Sequence, residues 1–138
     1  MKSFHSFCFL FCMISGLVVF GGCEVVGGDA PADNIGSSWN LCNHLWQAVY
    51  TADDGATVYH SITFYPGGTG EEEIGYAYAD GSYYPEYYRF SWQWASSSYT
   101  SIGLYYGGGN VLYMDNVYIG PDYLSCLFEG RFITFRGY

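Results

Sequence analysis

Residues 86–95 read Glu-Tyr-Tyr-Arg-Phe-Ser-Trp-Gln-Trp-Ala, and from Tyr88 to Trp94 every second side chain is a large aromatic ring. Alternate residues of a β-strand point to opposite faces of a sheet, so this stretch predicts a strand with one apolar and one polar face. Residues 57–65 alternate in the same way, with His60 on the apolar side. Each of these strands therefore has a side that faces a core.

Turn-forming residues divide the rest of the chain into short aromatic and β-branched runs, which is typical of an all-β fold. A short helical turn capped by Ser38 is predicted before the strands. We predict eight strands, at 44–52, 57–65, 69–79, 86–95, 99–106, 110–119, 122–129 and 130–137. The connections are too short for a crossover helix, so the strands are expected to form an antiparallel up-and-down meander. Closure into a small barrel would remove the exposed edges, and a split barrel or two-sheet sandwich is the alternative.

The composition argues against two classes of protein. Lys and Arg number 4 against 13 Asp and Glu, a net charge of −9, and neutralising nucleic-acid phosphates needs clustered cations. Aromatic residues make up 22% of the chain and charged residues only 12%, so the chain can bury a core and intrinsic disorder is disfavoured. The length of 138 residues suits one domain.

The N-terminus is typical of a secreted protein. Lys2 precedes an apolar run over residues 7–20, which is followed by two glycines and Cys23. A positive start, a short apolar segment and small residues before the cut define a signal peptide, and the run is shorter than the roughly 20 residues that span a bilayer. We predict a signal peptide at 1–22, a flexible tether at 23–37 and a folded domain at 38–138. Secretion without lipid, or a retained membrane anchor, is the alternative.

Gly21-Gly22-Cys23 resembles the lipobox at which signal peptidase II cleaves bacterial lipoproteins. The resemblance implies that Cys23 carries diacylglycerol and an acyl chain such as palmitate, which would hold the protein on a membrane. It implies a place in a Gram-negative cell envelope, at the outer membrane. Both periplasmic and surface display are compatible with the sequence.

Two cysteines remain when the signal peptide is removed and Cys23 is lipidated. Cys42 and Cys126 could pair as a disulfide, because the cell envelope is oxidising. The alternative is that both are small buried apolar side chains.

Several motifs of the domain resemble the lipocalin-like domains of bacterial envelope lipoproteins. They are Leu45-Trp46, Ile62-Thr63-Phe64 followed by Gly67-Gly68-Thr69-Gly70, Phe90-Ser91-Trp92, and Phe132-Ile133-Thr134-Phe135-Arg136. Together they extend over residues 41–136. The resemblance implies a β-barrel. It also implies that Arg136 covers the ring of Trp46, a cation–π contact worth about 0.5–2 kcal/mol.

The chain lacks the motifs of common catalytic sites, including His-Glu-x-x-His, Gly-x-Ser-x-Gly, Cys-x-x-Cys and a phosphate-binding loop. We therefore predict no enzyme activity, no cofactor and no metal site. The candidates for ligand contact are His60, Tyr88, Trp92, Trp94 and Asp115. Structural roles are the simpler interpretation of the histidine and the aromatic rings. An eight-stranded barrel has little interior space, so the middle is expected to be filled and a ligand to lie at a mouth or on an outer face.

These observations predict a membrane-anchored envelope lipoprotein whose non-enzymatic, lipocalin-like domain binds a small molecule, a glycan or a partner protein. The alternative is a structural or assembly subunit of an envelope complex, which would use the exposed part of the 16 tyrosines as a contact surface. A third possibility is a hydrolase that uses Asp115 or glutamate residues together with His60, and a pocket with His60 and Asp115 within hydrogen-bond distance of each other would favour it.

Overall fold

A computed structural model describes residues 32–138, and the side chains from residue 37 onward. The predicted signal peptide, Cys23 and the tether as far as residue 31 lie outside the described residues. Helix α1 spans Ala32–Cys42, so it includes the last part of the predicted tether and begins before Ser38. Ser38 is buried within the helix and its Oγ accepts a hydrogen bond from Trp94 Nε1 at 3.0 Å. Tertiary contacts of this kind stabilise a helix beyond its local propensity.

Eight antiparallel strands follow α1 and close into a barrel. They are β1 Leu45–Thr51, β2 Thr57–Tyr65, β3 Thr69–Ala77, β4 Tyr83–Trp94, β5 Ile102–Gly107, β6 Asn110–Ile119, β7 Tyr123–Phe128 and β8 Arg131–Gly137. Each strand pairs with the next along the chain, and β8 pairs with β1. The predicted eight-stranded meander and its barrel closure are therefore confirmed. Within residues 32–138, no helix is long and apolar enough to cross a membrane.

The barrel has two unlike ends. At the first, which we term the helix end, α1 packs over the start of β1 and the end of β4. Leu41 of α1 belongs to the buried core, and its carbonyl accepts a hydrogen bond from Trp46 Nε1 at 2.8 Å. Phe64 and Trp92 pack edge to face with their ring centroids 5.5 Å apart. Burying one large apolar side chain contributes about 1.5–3 kcal/mol, so each of these buried rings stabilises the fold substantially.

The pairing of β1 with β8 shows that the expected contact between Trp46 and Arg136 is wrong. Trp46 lies opposite Gly137, so Arg136, one residue earlier on β8, points to the other face of the sheet. Trp46 is buried inside the barrel, whereas Arg136 is exposed and its guanidinium lies 5.7 Å from the ring centroid of Tyr138. The ring beside Trp46 is His44, with centroids 4.8 Å apart.

The expected disulfide between Cys42 and Cys126 is also wrong. Cys126 is a free thiol on the inner face of β7, where it packs in the core opposite Ile133 of β8. Burial raises the pKa of this thiol to about 12. Cys42, at the end of α1, is disulfide-bonded but not to Cys126. Cys126 thus fits the alternative interpretation of a small buried apolar residue.

At the opposite, open end of the barrel, β4 extends beyond its neighbour β5. β4 pairs with β5 only from Ser91 to Trp94, whereas its residues from Tyr83 to Ser91 pair with β3. Residues 74–88 therefore form a hairpin whose second strand has an unpaired outer edge, and we term it the mouth hairpin. Pro85 lies in its outer strand and has no N–H to donate, which disfavours pairing with a further strand.

Candidate functional site

The open end of the barrel contains a cavity of about 420 Å³. The mouth hairpin forms one wall, and β6 with the end of β7 forms the other. The lining combines acidic, aromatic and aliphatic side chains: Glu72, Glu86 and Glu129; Tyr76, Tyr88, Tyr106 and Phe128; and Ile74, Val111 and Leu112, with Asn110 at the rim. A volume of several hundred Å³ with a mainly apolar lining and a few polar groups is typical of small-molecule sites.

A buried polar network forms the base of this cavity. His60 Nε2 lies 2.6 Å from Glu72 Oε1, and the Tyr106 hydroxyl donates a hydrogen bond to Glu72 Oε2 at 2.7 Å. The Tyr50 hydroxyl lies 3.3 Å from His60 Nδ1. His60 is 1% exposed and Glu72 is 4% exposed. Both carboxylate oxygens and both imidazole nitrogens therefore have partners, which is what burial of such groups requires.

The registers of the strands bring these groups together. His60 lies opposite Ile74 and Glu72 lies opposite Ile62, so His60 and Glu72 are diagonal neighbours on the inner face of β2 and β3. Tyr106 reaches Glu72 from β5, two strands away in the barrel, at an irregularity in the register between β5 and β6. Irregularities of this kind are common next to functional sites because they redirect a side chain.

The phenols of the site remain protonated over a wide pH range. Burial raises the pKa of Tyr50 to about 12, and burial together with the neighbouring Glu72 carboxylate raises the pKa of Tyr106. The pKa of Tyr76 is raised by burial and then by the negative charges of Glu86, Glu129 and Glu72. Neutral hydroxyl groups thus surround a cavity of negative potential.

Two of the five predicted ligand-contact residues belong to this site. Tyr88 lines the cavity, and its hydroxyl donates to Glu86 at 2.8 Å. His60 lies below the cavity in the buried network. The structure therefore brings these two residues to the same end of the barrel.

The other three predicted residues lie elsewhere. Trp92 is buried in the core of the helix end, and Trp94 packs beside it with its indole bonded to Ser38 of α1. Asp115 is exposed on the outer face of β6 and accepts a hydrogen bond from Ser101 Oγ at 2.6 Å. Within the described residues His60 therefore does not pair with Asp115. It contacts Glu72 instead, so the carboxylate that the structure brings to His60 is a glutamate.

Glu72, Tyr106 and Glu86 are central to the site but were not predicted as ligand contacts. The alternation of β3 could have identified Glu72, because it lies two residues from Ile74 and so shares its inward face. Glu86 likewise shares a face with Tyr88. No local sequence pattern predicts the contact between Tyr106 and Glu72, because the two residues are far apart in the sequence.

Two other grooves lie on the outer surface. They measure about 500 and 520 Å³, and both are lined by Glu71 and Arg89. These side chains form an ion pair, with Arg89 Nε 3.3 Å from Glu71 Oε1, and both are largely exposed, so the pair is screened by solvent. The first groove is also lined by Glu72 and Glu73, but unlike the cavity it contains an arginine.

No group of three or more His, Cys, Asp or Glu side chains among the described residues is arranged to hold a metal ion. Comparison of the chain with protein-family models, with curated proteins and with solved structures finds no match.

Proposed function

We propose that the protein is a lipid-anchored lipoprotein of the bacterial cell envelope, at the outer membrane, whose lipocalin-like barrel binds a small molecule at its open end without chemically changing it. The observation that carries the binding proposal is the cavity of about 420 Å³ above the buried network of His60, Glu72 and Tyr106. The lipid-anchor proposal rests on Lys2, the apolar run at 7–20 and Cys23.

The division of the barrel into a packed half and a half with a cavity supports binding at one mouth. The helix end is filled by buried aromatic rings such as Trp46 and Trp92 and covered by α1. At the open end, polar groups are held rigidly by the network, while Leu112 and Phe128 offer apolar contact. Rigid polar groups beside apolar walls can orient one end of a ligand and bury the other.

The binding proposal is tested by NMR on the full chain in a non-ionic detergent, with a fragment library that includes amines, acids, neutral alcohols and monosaccharides. Compounds that bind are expected to shift the amide resonances of the mouth hairpin and of β6. Leu112→Trp, which places a large ring in the cavity, should abolish these shifts. Tyr113→Trp is the matched control, because Tyr113 is exposed on the outer face of the same strand. Absence of any shift at the open end, or equal shifts in both variants, contradicts the proposal.

The lipid anchor is tested separately. Metabolic labelling with an alkyne palmitate analogue should mark the wild-type protein in the membrane fraction. Cys23→Ser should be unlabelled and soluble. A labelled Cys23→Ser protein would exclude Cys23 as the lipidated residue.

A role as an assembly subunit is the second candidate, and the exposed tyrosines of the mouth hairpin favour it. Tyr83, Tyr84 and Tyr87 all have exposed rings, which are effective contact residues in protein interfaces. Purification of the lipidated protein from membranes should then recover a stoichiometric partner that is lost in Tyr84→Ser/Tyr87→Ser. A monomer without a partner would count against this role.

A further inference from the structure

We propose that the open-end cavity selects organic cations, that is, molecules with an ammonium group on a compact apolar body. This inference rests on the proposed binding function and specifies the chemistry of the ligand. It follows from the charges, the ring geometry and the aliphatic contacts of the cavity.

The cavity is negatively charged, and among the residues that the structure describes no cationic side chain lines it. Its carboxylates are Glu72, Glu86 and Glu129, which come from β3, β4 and the turn between β7 and β8. Glu72 contacts His60, so its charge is balanced whenever that imidazole is protonated, but Glu86 and Glu129 have no cationic partner within the described residues. A positively charged ligand would supply the missing countercharge.

The arginines of the described residues are all engaged away from the cavity. Arg131 donates from Nη1 to the Thr51 carbonyl at 2.7 Å and from Nη2 to Asp53 at 2.6 Å. Arg89 pairs with Glu71 on the outer surface, and Arg136 lies near the Tyr138 ring. None of these arginine side chains therefore neutralises the negative potential of the cavity from its lining.

Aromatic rings provide a second source of affinity for a cation. The rings of Tyr88 and Tyr106 meet at 85° with centroids 5.9 Å apart, and both border the cavity together with Tyr76. Rings at right angles form a corner of the kind found in aromatic cages, in which ammonium groups lie against the negative faces of the rings. The raised pKa values of these phenols keep the rings uncharged, and the contributions of Glu86 and Glu129 to the pKa of Tyr76 show that both carboxylates act on this space.

The remaining lining indicates an organic rather than an inorganic cation. Ile74, Leu112 and Phe128 present apolar surface to the cavity, which a hydrated metal ion would not use. Calcium takes six to eight oxygen ligands at about 2.3–2.6 Å, and no cluster of acidic side chains in the described part of the chain is arranged to hold a metal ion. An amine with an aromatic or aliphatic body matches both parts of the lining.

The test uses three probes that share one phenylpropyl body: phenylpropylammonium, phenylpropanol and phenylbutyrate. Each is titrated into the full chain in a non-ionic detergent by isothermal calorimetry. The ammonium probe is expected to bind at least about tenfold more tightly than the alcohol, and the carboxylate is expected not to bind. The affinity of the ammonium probe should also fall as the salt concentration is raised, because part of this affinity comes from charge attraction.

Charge-removing variants provide the control. Glu86→Gln and Glu129→Gln lie at the exposed rim, where loss of a charge leaves the core intact, and each should weaken the ammonium probe about tenfold without affecting the alcohol. Glu73→Gln is the matched control, since it removes the same charge from the outer face of β3 and should change neither affinity. Circular dichroism of each variant verifies the fold.

The outcomes separate this inference from the function on which it rests. Equal affinity of the alcohol and the ammonium probe, or equal effects of Glu73→Gln and Glu86→Gln, overturns cation selectivity and leaves small-molecule binding intact. If none of the three probes binds while acids, neutral alcohols or monosaccharides of the library shift the mouth resonances, cation selectivity is likewise overturned. If nothing in the library binds, the proposed function and the inference fail together.

Discussion

Removal of one hydroxyl group from the buried network should destabilise the protein measurably. In Tyr106→Phe, Glu72 Oε2 loses the donor that lies 2.7 Å away, and Glu72 is only 4% exposed. A hydrogen bond to a charged group contributes about 1.5–3 kcal/mol, and a buried acceptor left without a partner costs a similar amount. We therefore expect the free energy of unfolding to fall by about 1.5–3 kcal/mol, towards the lower value if water from the cavity replaces the hydroxyl.

The neighbouring tyrosine provides a matched control. Tyr105 is on the outer face of β5, where its hydroxyl accepts a hydrogen bond from Gln93 Nε2 at 2.5 Å. Tyr105→Phe removes the same atom, but Gln93 can turn to solvent, so the loss should be about 0.5–1 kcal/mol. Urea unfolding followed by circular dichroism measures both variants, and unchanged m-values would show that the midpoint shifts report stability.

Coupling to Glu72 distinguishes the network from a general effect of the substitution. In the double variant Tyr106→Phe/Glu72→Gln, the losses should be less than additive by about 1 kcal/mol or more, because the second change removes the unpaired carboxylate. Equal destabilisation by Tyr106→Phe and Tyr105→Phe would refute the reasoning, as would strict additivity with Glu72→Gln.

Three further predictions concern pH, thiol reactivity and backbone strain. The free energy of unfolding should fall as pH rises from about 10 towards 12. The reason is that Tyr50 releases its proton near its ordinary pKa of 10 in the unfolded protein but retains it to about 12 in the folded protein. In urea titrations at each pH, Tyr50→Phe should show a smaller fall of the free energy of unfolding with pH. Cys126 should resist iodoacetamide at pH 8 in the native protein and react in urea, since burial raises its pKa to about 12. Rapid alkylation of the native protein would contradict the buried position of this thiol. Glu129→Asn should raise the free energy of unfolding by about 0.5–1 kcal/mol, because Glu129 is strained at a φ of 49° that Asn adopts more easily. A lower urea midpoint for the variant would show that the substitution does not relieve this backbone strain.

The strands and their inward faces were predictable because their signals are local. Alternation along residues 57–65 and 86–95 reflects the two-residue repeat of every β-strand, and glycine-rich turns separate the runs. The same repeat correctly placed His60 on an inner face. For β8 the repeat does not decide the inward face, because the apolar residue Phe132 lies on one side of the strand and Ile133 and Phe135 on the other; the structure shows that Ile133 and Phe135 face inward while Phe132 is 66% exposed.

The pairings between distant parts of the chain could not be predicted in this way. Trp46 and Arg136 were expected to stack, but a shift of one residue in the pairing of β1 with β8 decides which face each presents, and local sequence does not encode that register. Trp92 and Trp94 were candidates for ligand contact, with a structural role as the simpler interpretation. Which end of the barrel they occupy depends on where α1 packs.

By itself, the sequence determined the class of fold, the number of strands and the existence of an acidic, tyrosine-rich domain, since composition and two-residue alternation suffice for these. Only the tertiary structure decided that one half of the barrel is packed and the other contains a cavity. It also decided that Glu72 joins His60 and Tyr106 at the base of that cavity. The physical reason is that Tyr106 and Glu72 lie on β5 and β3, which are not neighbouring strands, so they come within hydrogen-bond distance only when the sheet curls into a barrel, and this curvature depends on the registers of all the strands together.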